Sequence, residues 1–226
     1  MQIFQSIISF FSIISAITPN LELVAALLSL WCVWLAAKNN ILNWPVAMLG
    51  SIGYIFVFTS VKLYSDAMLN TIFLAFQAYG WYAWNKENKS KVNGSETALS
   101  VSVLKPKLGV GLFAIALIIY YPWIIFISQW LPNQHWILLG YSVQFHAPMM
   151  PYLDAAMMFV SLIALYLQSK RILFHWYLWI LVDLVYVPIY IKSETYYTAI
   201  LYAIYIPMAI AGLKLWKAQL RPDSRV

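Results

Sequence analysis

Long, nearly uninterrupted runs of apolar residues dominate the hydrophobic pattern of this chain, and polar residues stand mainly between the runs. The runs approach the length of about 20 residues that a bilayer-spanning helix needs, whereas strands of a membrane barrel would be about 10 residues long and alternating. The pattern therefore predicts an all-α integral membrane protein. Seven transmembrane helices are predicted, at 21–37, 43–61, 64–84, 108–130, 152–169, 172–191 and 195–216.

Four segments outside these helices differ from them in polarity. Segment 1–20 is apolar, carries spaced Gln and Ser residues and lacks basic residues. It therefore predicts an interfacial segment rather than a cleaved signal peptide, with an eighth span as the alternative. Segment 85–107 is rich in Lys, Asn and Ser and predicts a solvated cytoplasmic loop. Segment 131–151, with three prolines and two histidines, predicts an extracytoplasmic loop or a partly buried re-entrant piece, and 217–226 predicts a cytoplasmic tail.

Residues 22–84 recur 132 positions later without a gap. Apolar residues would match by chance in so hydrophobic a chain, so the polar and aromatic matches carry the inference. These matches are Glu22 with Asp154, Lys38 with Lys170, Trp44 with Trp176, Tyr54 with Tyr186, Tyr64 with Tyr196, Gly80 with Gly212 and Trp84 with Trp216. Repeats of this kind build many membrane transporters.

The repeat and the span count together predict the arrangement of the helices. Three spans end on the side opposite to where they began, so the fourth span, 108–130, must return the chain before the second copy enters in the same orientation. The predicted fold has two parallel three-helix bundles, 21–84 and 152–216, joined by this linker helix. This 3+1+3 plan is that of full-length SWEET-like transporters, with the substrate between the bundles.

Composition and charge agree with a membrane location. The 226 residues are 63% hydrophobic and only 10% charged, whereas about a quarter of the residues of a soluble domain are charged. Seven spans place 12 of the 14 basic residues on one side, the exceptions being Lys62 and Lys192. An excess of basic residues marks the cytoplasmic side, so we expect the N-terminus outside and the C-terminus in the cytoplasm. The net charge of +6 is spread over the ends of the apolar runs, which argues against nucleic-acid binding.

A charged side chain inside a span is costly and usually faces the protein interior. Asp183 is the deepest charge, near the middle of the sixth span. Helical spacing places four aromatic residues on the same face: Trp176, Trp179, Tyr186 and Tyr190. The first copy has Ser51 at the position of Asp183. This difference predicts a pocket formed mainly by the second copy, with the first copy providing room.

Two amides, Asn70 and Gln77, lie seven residues apart on one face of the third span. Amide side chains can bind hydroxyl or amide groups of a ligand through directional hydrogen bonds, or they can hold helices together. Tyr202, the counterpart of Asn70, can supply a phenol from the facing bundle. Glu22 and Asp154 match each other near outer helix starts, where stabilisation of a helix N-terminus or a gating role is expected.

An acid flanked by aromatic faces suits a flat, cationic, aromatic ligand, because the rings stack and the carboxylate neutralises the charge. An intramembrane enzyme is a competing interpretation, but the chain lacks an HExxH, GxSxG or P-loop pattern. Its three histidines, His135, His146 and His175, lack metal-ligand spacing. The pattern thus predicts a transporter with no metal and no other cofactor. A non-transporting membrane subunit is the third interpretation.

Several motifs in this chain are similar to those of a known family. They are Lys62-Leu-Tyr-Ser-Asp66, Tyr79-Gly-Trp-Tyr-Ala-Trp84, Asp154 at the start of the fifth span, Trp176-Tyr-Leu-Trp179 followed by Asp183, and Gly212-Leu-Lys-Leu-Trp216. In this combination, from residue 20 to residue 217, the chain resembles the PnuC family of bacterial vitamin transporters. The WxxW substrate motif of that family lies in its sixth span.

The resemblance implies a homotrimer in the bacterial inner membrane that carries nicotinamide riboside by facilitated diffusion, with a cytoplasmic kinase trapping the substrate by phosphorylation. It also implies that Trp176 and Trp179 line the aromatic ring and that Asn70 and Gln77 occupy amide positions of the site. An amide is expected at the position of Asp183 in some nicotinamide riboside carriers. Relatives that carry thiamine or riboflavin are similar in sequence, so these vitamins are alternative substrates. Proton coupling through Asp183 is an alternative mechanism.

Overall fold

A computed structural model describes residues 2–60, 64–92, 101–133, 136–138, 141–143, 150–192 and 196–220 of the chain. These residues form seven α-helices in the order that the apolar runs predict. The helices are α1 (Gln2–Ala37), α2 (Asn43–Ser60), α3 (Tyr64–Val92), α4 (Pro106–Ile125), α5 (Pro151–Ser169), α6 (His175–Lys192) and α7 (Tyr196–Ala218). A π-helical turn, Phe126–Trp130, extends α4, and an antiparallel hairpin of β1 (Trp136–Leu138) and β2 (Tyr141–Val143) precedes α5.

In the described part of the chain, four helical stretches are long and apolar enough to cross a bilayer. They are Asn20–Ala37, Pro106–Trp130, Tyr152–Ser169 and Ala199–Ala218, and α2 supplies a shorter apolar stretch, Asn43–Thr59. The helices α3 and α6 carry the buried polar residues Gln77 and Asp183. Gln77 and Asp183 therefore lie on helices outside these apolar stretches.

The first helix differs most from its predicted bounds. It begins at Gln2 rather than near residue 21, and it continues through Pro19 to Ala37. At 1.5 Å per residue, its 36 residues extend about 54 Å, well beyond a hydrocarbon core of about 30 Å. A continuous helix cannot reverse direction, so the alternative of an eighth span in 1–20 is wrong. The interfacial location of this segment stays a prediction.

The segment 85–107 differs at both ends from the solvated loop that its composition predicts. Helix α3 continues to Val92, and Val101 is fully buried in the core cluster. Ser102 then forms a parallel β-bridge with Ile172 in the turn between α5 and α6. The backbone ahead of α4 is therefore held against this turn, because an apolar residue follows the polar stretch and enters the core.

The helices pack in the same order in each copy of the repeat. Helix α1 packs on α2 and α2 on α3, and likewise α5 packs on α6 and α6 on α7. Between the copies, α1 packs on α7 and α3 packs on α5. These two interfaces are counterparts, because α1 corresponds to α5 and α3 corresponds to α7. Helix α4 packs mainly against α5. The repeat in sequence is therefore also a repeat in packing.

One end of the helix array, which we call the basic end, carries most of the basic side chains. It contains the C-terminal ends of α1, α3, α5 and α7, which contact one another through their last turns and the turns that follow. The basic residues at this end whose side chains the structure describes are Lys38, Lys86, Lys89, Lys105, Lys107, Lys170, Arg171, Lys214 and Lys217. The charge asymmetry predicted from the sequence therefore corresponds to one end of the fold.

Four tryptophans form the centre of the buried core at the basic end. They are Trp44, Trp84, Trp176 and Trp216, each at most 2% exposed. The Trp44 ring packs on Gly80, and the Trp176 ring packs on Gly212. A Cβ at either glycine would overlap the ring. Each pair joins the second and third helices of one copy, so the matched glycines of the repeat are explained by the matched tryptophans.

Candidate functional site

A buried polar layer lies across the middle of the helices. Asp183 in α6 is 4% exposed, and Ser51 in α2 and Gln77 in α3 are 6% and 7% exposed. The Nε2 atom of Gln77 donates to Oγ of Ser51 at 3.0 Å, and Asp183 interacts electrostatically with Tyr205 of α7. Because Ser51 and Asp183 are counterparts, the same depth carries a neutral pair in the first copy and an acid in the second.

The carboxamide oxygen of Gln77 is buried and has no hydrogen-bond partner among the described residues. A buried acceptor without a partner costs about 1–3 kcal/mol, so such groups are usually satisfied by water or by a ligand. The counterpart of Gln77 in the second copy is Ala209, which offers no matching amide. Gln77 therefore gives the polar layer an acceptor on the side of the first copy.

Tyrosines of α6 and α7 form a continuous aromatic cluster. The Tyr186 and Tyr190 rings stack with centroids 5.5 Å apart. The Tyr202 ring lies 5.5 Å from Tyr186 and 5.1 Å from Tyr190. Tyr205 continues the cluster at 5.7 Å from Tyr202 and brings it to Asp183. The structure thus brings the predicted residues Tyr186, Tyr190 and Tyr202 together, and it adds Tyr205 to them.

The first copy repeats only part of this cluster. Tyr54 and Phe58 stack at 5.6 Å, and they are the counterparts of Tyr186 and Tyr190. Asn70, half-buried on α3, stands where the second copy has Tyr202. Each copy therefore contains one ring stack, accompanied by a phenol in the second copy and by an amide in the first.

Trp176, the first tryptophan of the WxxW motif, belongs to the core of the basic end. It is 2% exposed, its ring packs on Gly212, and the ring centroid lies 5.9 Å from that of Trp216. Its counterpart Trp44 makes the same kind of contact with a glycine of its own copy. The position of Trp176 therefore matches a packing role that the repeat uses twice.

Trp179, the second tryptophan of the motif, is half-buried and lies one helical turn from Asp183. Its Nε1 atom donates to Oε1 of Gln168 at 3.3 Å, and Nε2 of Gln168 donates to Oδ1 of Asn43 at 3.1 Å. These bonds join α6, α5 and α2, so they connect the two copies. Sequence reasoning missed Gln168 and Asn43. The signal was the difference between the copies, since Gln168 replaces Ala36.

The two matched acids, Glu22 and Asp154, have different positions in their helices. Asp154 lies in the first turn of α5, where a negative charge stabilises the helix N-terminus. Glu22 lies well inside α1, because that helix begins at Gln2. Stabilisation of a helix N-terminus is therefore wrong for Glu22, whose side chain is exposed and interacts electrostatically with Tyr54.

His175 is a structural residue of the basic end. Its Nδ1 atom lies 2.8 Å from the carbonyl oxygen of Ile172, and the counterpart Asn43 donates from Nδ2 to the carbonyl of Asn40 at 2.6 Å. Both side chains therefore close the turn before their helix in the same way. No group of three or more His, Cys, Asp or Glu side chains within the described ranges could hold a metal ion. The other two histidines, His135 and His146, lie outside the described residues.

The two copies are joined at the basic end by a matched pair of hydrogen bonds. Nε1 of Trp84 donates to the carbonyl of Ser169 at 3.1 Å, with the carbonyl of Gln168 at 3.3 Å as a second acceptor. Nε1 of Trp216 donates to the carbonyl of Ala36 at 2.9 Å. Because Ala36 is the counterpart of Gln168, the last helix of each copy bonds the end of the first helix of the other copy.

Arg171 adds a charged contact to this end. Its side chain is 3% exposed, its Nε atom lies 3.2 Å from Oε2 of Glu87, and its guanidinium carbon lies 3.6 Å from the centre of the Trp84 ring. It also donates to Oδ1 of Asn39. Burial lowers the pKa of Arg171 to about 10, and the nearby Glu87 opposes that change. The guanidinium therefore stays charged at neutral pH.

Residues 20–218 match the family model described as the nicotinamide mononucleotide transporter, so the match includes both copies and the linker helix. The chain belongs to the nicotinamide mononucleotide transporter family. Membership in this transporter family, together with the apolar helices, makes the chain a multi-pass membrane protein.

Relatives of this family member match along most of the chain. The nicotinamide riboside transporter PnuC of Escherichia coli (strain K12) is 25% identical over 206 residues, covering 87% of this chain and 84% of the relative. The riboflavin/roseoflavin transporter RibM of Streptomyces davaonensis is 24% identical over 209 residues, covering 90% and 87%. A crystal structure of the vitamin B3 transporter PnuC has a TM-score of 0.65 at 21% identity, covering 96% of this chain and 92% of that chain. The predicted resemblance to the PnuC family is confirmed.

Proposed function

We propose that the protein takes up a small cationic aromatic vitamin, nicotinamide riboside, across the bacterial inner membrane by facilitated diffusion. The observation that carries the proposal is the buried Asp183 beside the tyrosine cluster, at the same depth as the Gln77–Ser51 pair. Relatives named as transporters of nicotinamide riboside and of riboflavin support vitamin uptake as the activity. No metal, cofactor or catalytic step belongs to this proposal.

The second copy would bind the cationic ring. The pyridinium ring of nicotinamide riboside is flat and positively charged, and the carboxylate of Asp183 would neutralise it where water is excluded. The faces of Trp179 and Tyr186 carry negative charge density that favours a cation and a stacked ring. Trp176, which was predicted to line the ring, would hold Trp179 in place from the core of the basic end.

The first copy would bind the ribose. Gln77 has a buried acceptor, Ser51 receives its other hydrogen bond, and Asn70 lies two turns away on the same helix. Hydroxyl groups of a ribose can donate to such an acceptor and accept from the amides. Tyr202, which replaces Asn70 in the second copy, would add a phenol. The difference between the copies would thus match the two chemically different halves of the ligand.

The proposed architecture is the parallel 3+1+3 arrangement of SWEET-like transporters. The matched interfaces of α1 with α7 and of α3 with α5 support it, as does the similarity of the solved PnuC structure. The basic end would face the cytoplasm, with the N-terminus outside, under the positive-inside rule. Glu22 and Asp154 would then lie toward the outer entrance, where we propose a gating or structural role. A homotrimer, and trapping by a cytoplasmic kinase, follow from the resemblance to the PnuC family.

Uptake by the purified protein in liposomes tests the proposal. Labelled nicotinamide riboside, thiamine and riboflavin would each be supplied with and without an inward proton gradient. We expect saturable uptake of nicotinamide riboside that stops at equal concentrations inside and outside. The proton gradient should not change its rate. Acceleration by the gradient would instead indicate proton coupling through Asp183. Absence of both binding and uptake for all three vitamins would overturn the proposal.

Thiamine is the second candidate substrate. It is also flat, aromatic and positively charged, so Asp183 and Trp179 would suit it as well. It has no ribose, so its transport would leave the Gln77–Ser51 pair without a matching group. Riboflavin is neutral and would leave Asp183 without a countercharge. Competition among the three vitamins in the same uptake experiment would rank them.

A further inference from the structure

A set of polar contacts joins the two copies at the basic end, and Arg171 lies at its centre. Arg171 follows α5, and it contacts Glu87 and Trp84 of α3 and Asn39 after α1. Asn39 in turn donates from Nδ2 to Oε1 of Gln219, after α7, at 3.0 Å. The C-terminal ends of all four helices that meet here are therefore linked through these side chains.

The backbone at Arg171 has an uncommon conformation that its counterpart shares. Arg171 and its counterpart Asn39 have φ values of 51° and 55°, in the left-handed region that most side chains disfavour. Asn tolerates this conformation better than Arg does, and strained residues persist where the surroundings hold them. The second copy therefore keeps a large charged residue at a turn where the first copy has a small amide.

The contacts of Arg171 lie at the basic end, about two helical turns from the polar layer. Trp84 follows Gln77 by seven residues in α3, and Trp176 precedes Asp183 by seven residues in α6. Seven residues of helix extend about 10 Å, so the tryptophans close the fold about two turns below the polar layer. A ligand that leaves the polar layer toward the basic end must therefore separate the two copies at this level.

We propose that Arg171, Glu87, Trp84 and Asn39 form a basic-end latch, which holds this end shut and opens to release the substrate. The inference rests on the proposed transport function and assigns its gate on this side. Breaking the Arg171–Glu87 contact removes the charged contact between Arg171 and α3 and leaves its contact with the Trp84 ring, so that α3 and the end of α5 would separate more readily. The charged pair thus sets how often the basic end opens.

Thiol labelling of the full-length protein in nanodiscs tests the latch. The native Cys32 would be replaced by Ala, and Ala209→Cys would serve as the reporter, because Ala209 is 2% exposed within the core cluster that contains the four tryptophans. A membrane-impermeant thiol reagent would then be added. We expect Glu87→Gln and Arg171→Gln each to raise the labelling rate about fivefold, since each leaves one partner of the pair without its opposite charge.

The double variant separates a latch from general loosening of the fold. If the two residues act through one contact, Arg171→Gln with Glu87→Gln labels no faster than either single variant. Lys89→Gln is the matched control, because Lys89 is an exposed charge on the same end of α3, and its labelling rate should equal that of the parent. Unchanged labelling in Glu87→Gln, a half-exposed site that tolerates substitution, would overturn the latch. Fully additive effects of the two substitutions would overturn it as well.

Labelling requires no vitamin, so the latch and the transport proposal fail separately. Faster labelling in the variants, with no uptake of any of the three vitamins, would keep the latch and refute the substrate. If the parent takes up nicotinamide riboside but neither substitution changes the labelling rate, the substrate proposal is supported and the latch is refuted.

Discussion

Trp84 and Trp216, which occupy the same position in the two copies, lie with their ring centroids 6.4 Å apart, and each donates its indole N–H to the other copy. The bonds end at the carbonyls of Ser169 and Ala36, at the ends of α5 and α1. The same contact is thus made in both directions across the centre of the basic end. A tryptophan there is both an apolar core residue and a cap for a helix of the opposite copy.

Substitution of the matched glycines should destabilise the fold. A Cβ at Gly80 would overlap the Trp44 ring, so we expect Gly80→Ala to lower the free energy of unfolding by about 1–3 kcal/mol. Gly111→Ala in α4 is the control, because a Cβ there meets nothing within 4 Å and Ala favours a helix. Thermal unfolding of the purified protein measures both. An equal melting temperature for the two variants would contradict the packing argument.

Substitution of Trp179 should mainly affect ligand binding, whereas substitution of Trp84 should mainly affect stability. Trp179 is half-buried near Asp183, whereas Trp84 is fully buried and bonded to α5. We expect Trp179→Ala to weaken nicotinamide riboside binding by about tenfold with little loss of stability. Trp84→Ala should instead lower the melting temperature strongly, since it creates a large cavity. Calorimetric titration and thermal unfolding on the same samples separate the two effects, and equal effects on binding would favour packing roles for both.

Removal of the charge at position 183 should affect only cationic ligands. Asp183→Asn keeps the shape of the side chain and removes the countercharge, so we expect the affinity for nicotinamide riboside to fall about tenfold or more. Riboflavin is neutral, so any affinity of the parent protein for riboflavin should be the same in the Asp183→Asn variant. Equilibrium binding with labelled vitamins measures the ratio. An Asn variant that binds nicotinamide riboside as tightly as the parent would rule out the ion pair.

Gln77 offers a test of a binding role against a helix-joining role. Gln77→Leu removes the hydrogen bond to Ser51 and also removes a buried acceptor that has no partner among the described residues. We expect nicotinamide riboside affinity to fall by about tenfold while the melting temperature stays within a few degrees of the parent. If stability falls and affinity does not, the amide serves mainly to hold α3 on α2.

Much of this fold was predictable because the sequence contains two copies of one unit. Apolar runs fixed the order of the seven helices, and the offset of 132 residues paired Gly80 with Gly212 and Trp44 with Trp176. The structure explains those pairs by ring-on-glycine packing. The difference between Ser51 and Asp183, also visible in the sequence, marks the polar layer that the structure contains. Local patterns succeed here because helices in a bilayer are set by hydrophobic length.

The contacts of the basic end were not predictable in the same way. Arg171 was counted as one of many basic residues near a helix end, yet its side chain is buried and bonds residues 84 and 132 positions away. A left-handed turn is normally marked by Gly or Asn. The first copy has Asn39 at this position, but the second copy has Arg171. Gln168 likewise lies at the polar end of an apolar run, beside Ser169 and Lys170, where a polar residue is ordinary. Such contacts depend on which helices meet, and that is decided by packing across the whole chain.

The linker helix α4 has a consequence for how the protein acquired its chemistry. The helix packs mainly on α5, and Ile118 within it is 74% exposed, so the two copies cohere through their own interfaces. The two copies therefore resemble the subunits of a symmetric dimer that are joined in one chain. A dimer of separate identical subunits would place either two acids or two serines around the ligand. Fusion through α4 allows one copy to keep Ser51 while the other has Asp183, and under the proposed function this difference would give a singly charged ligand a single countercharge.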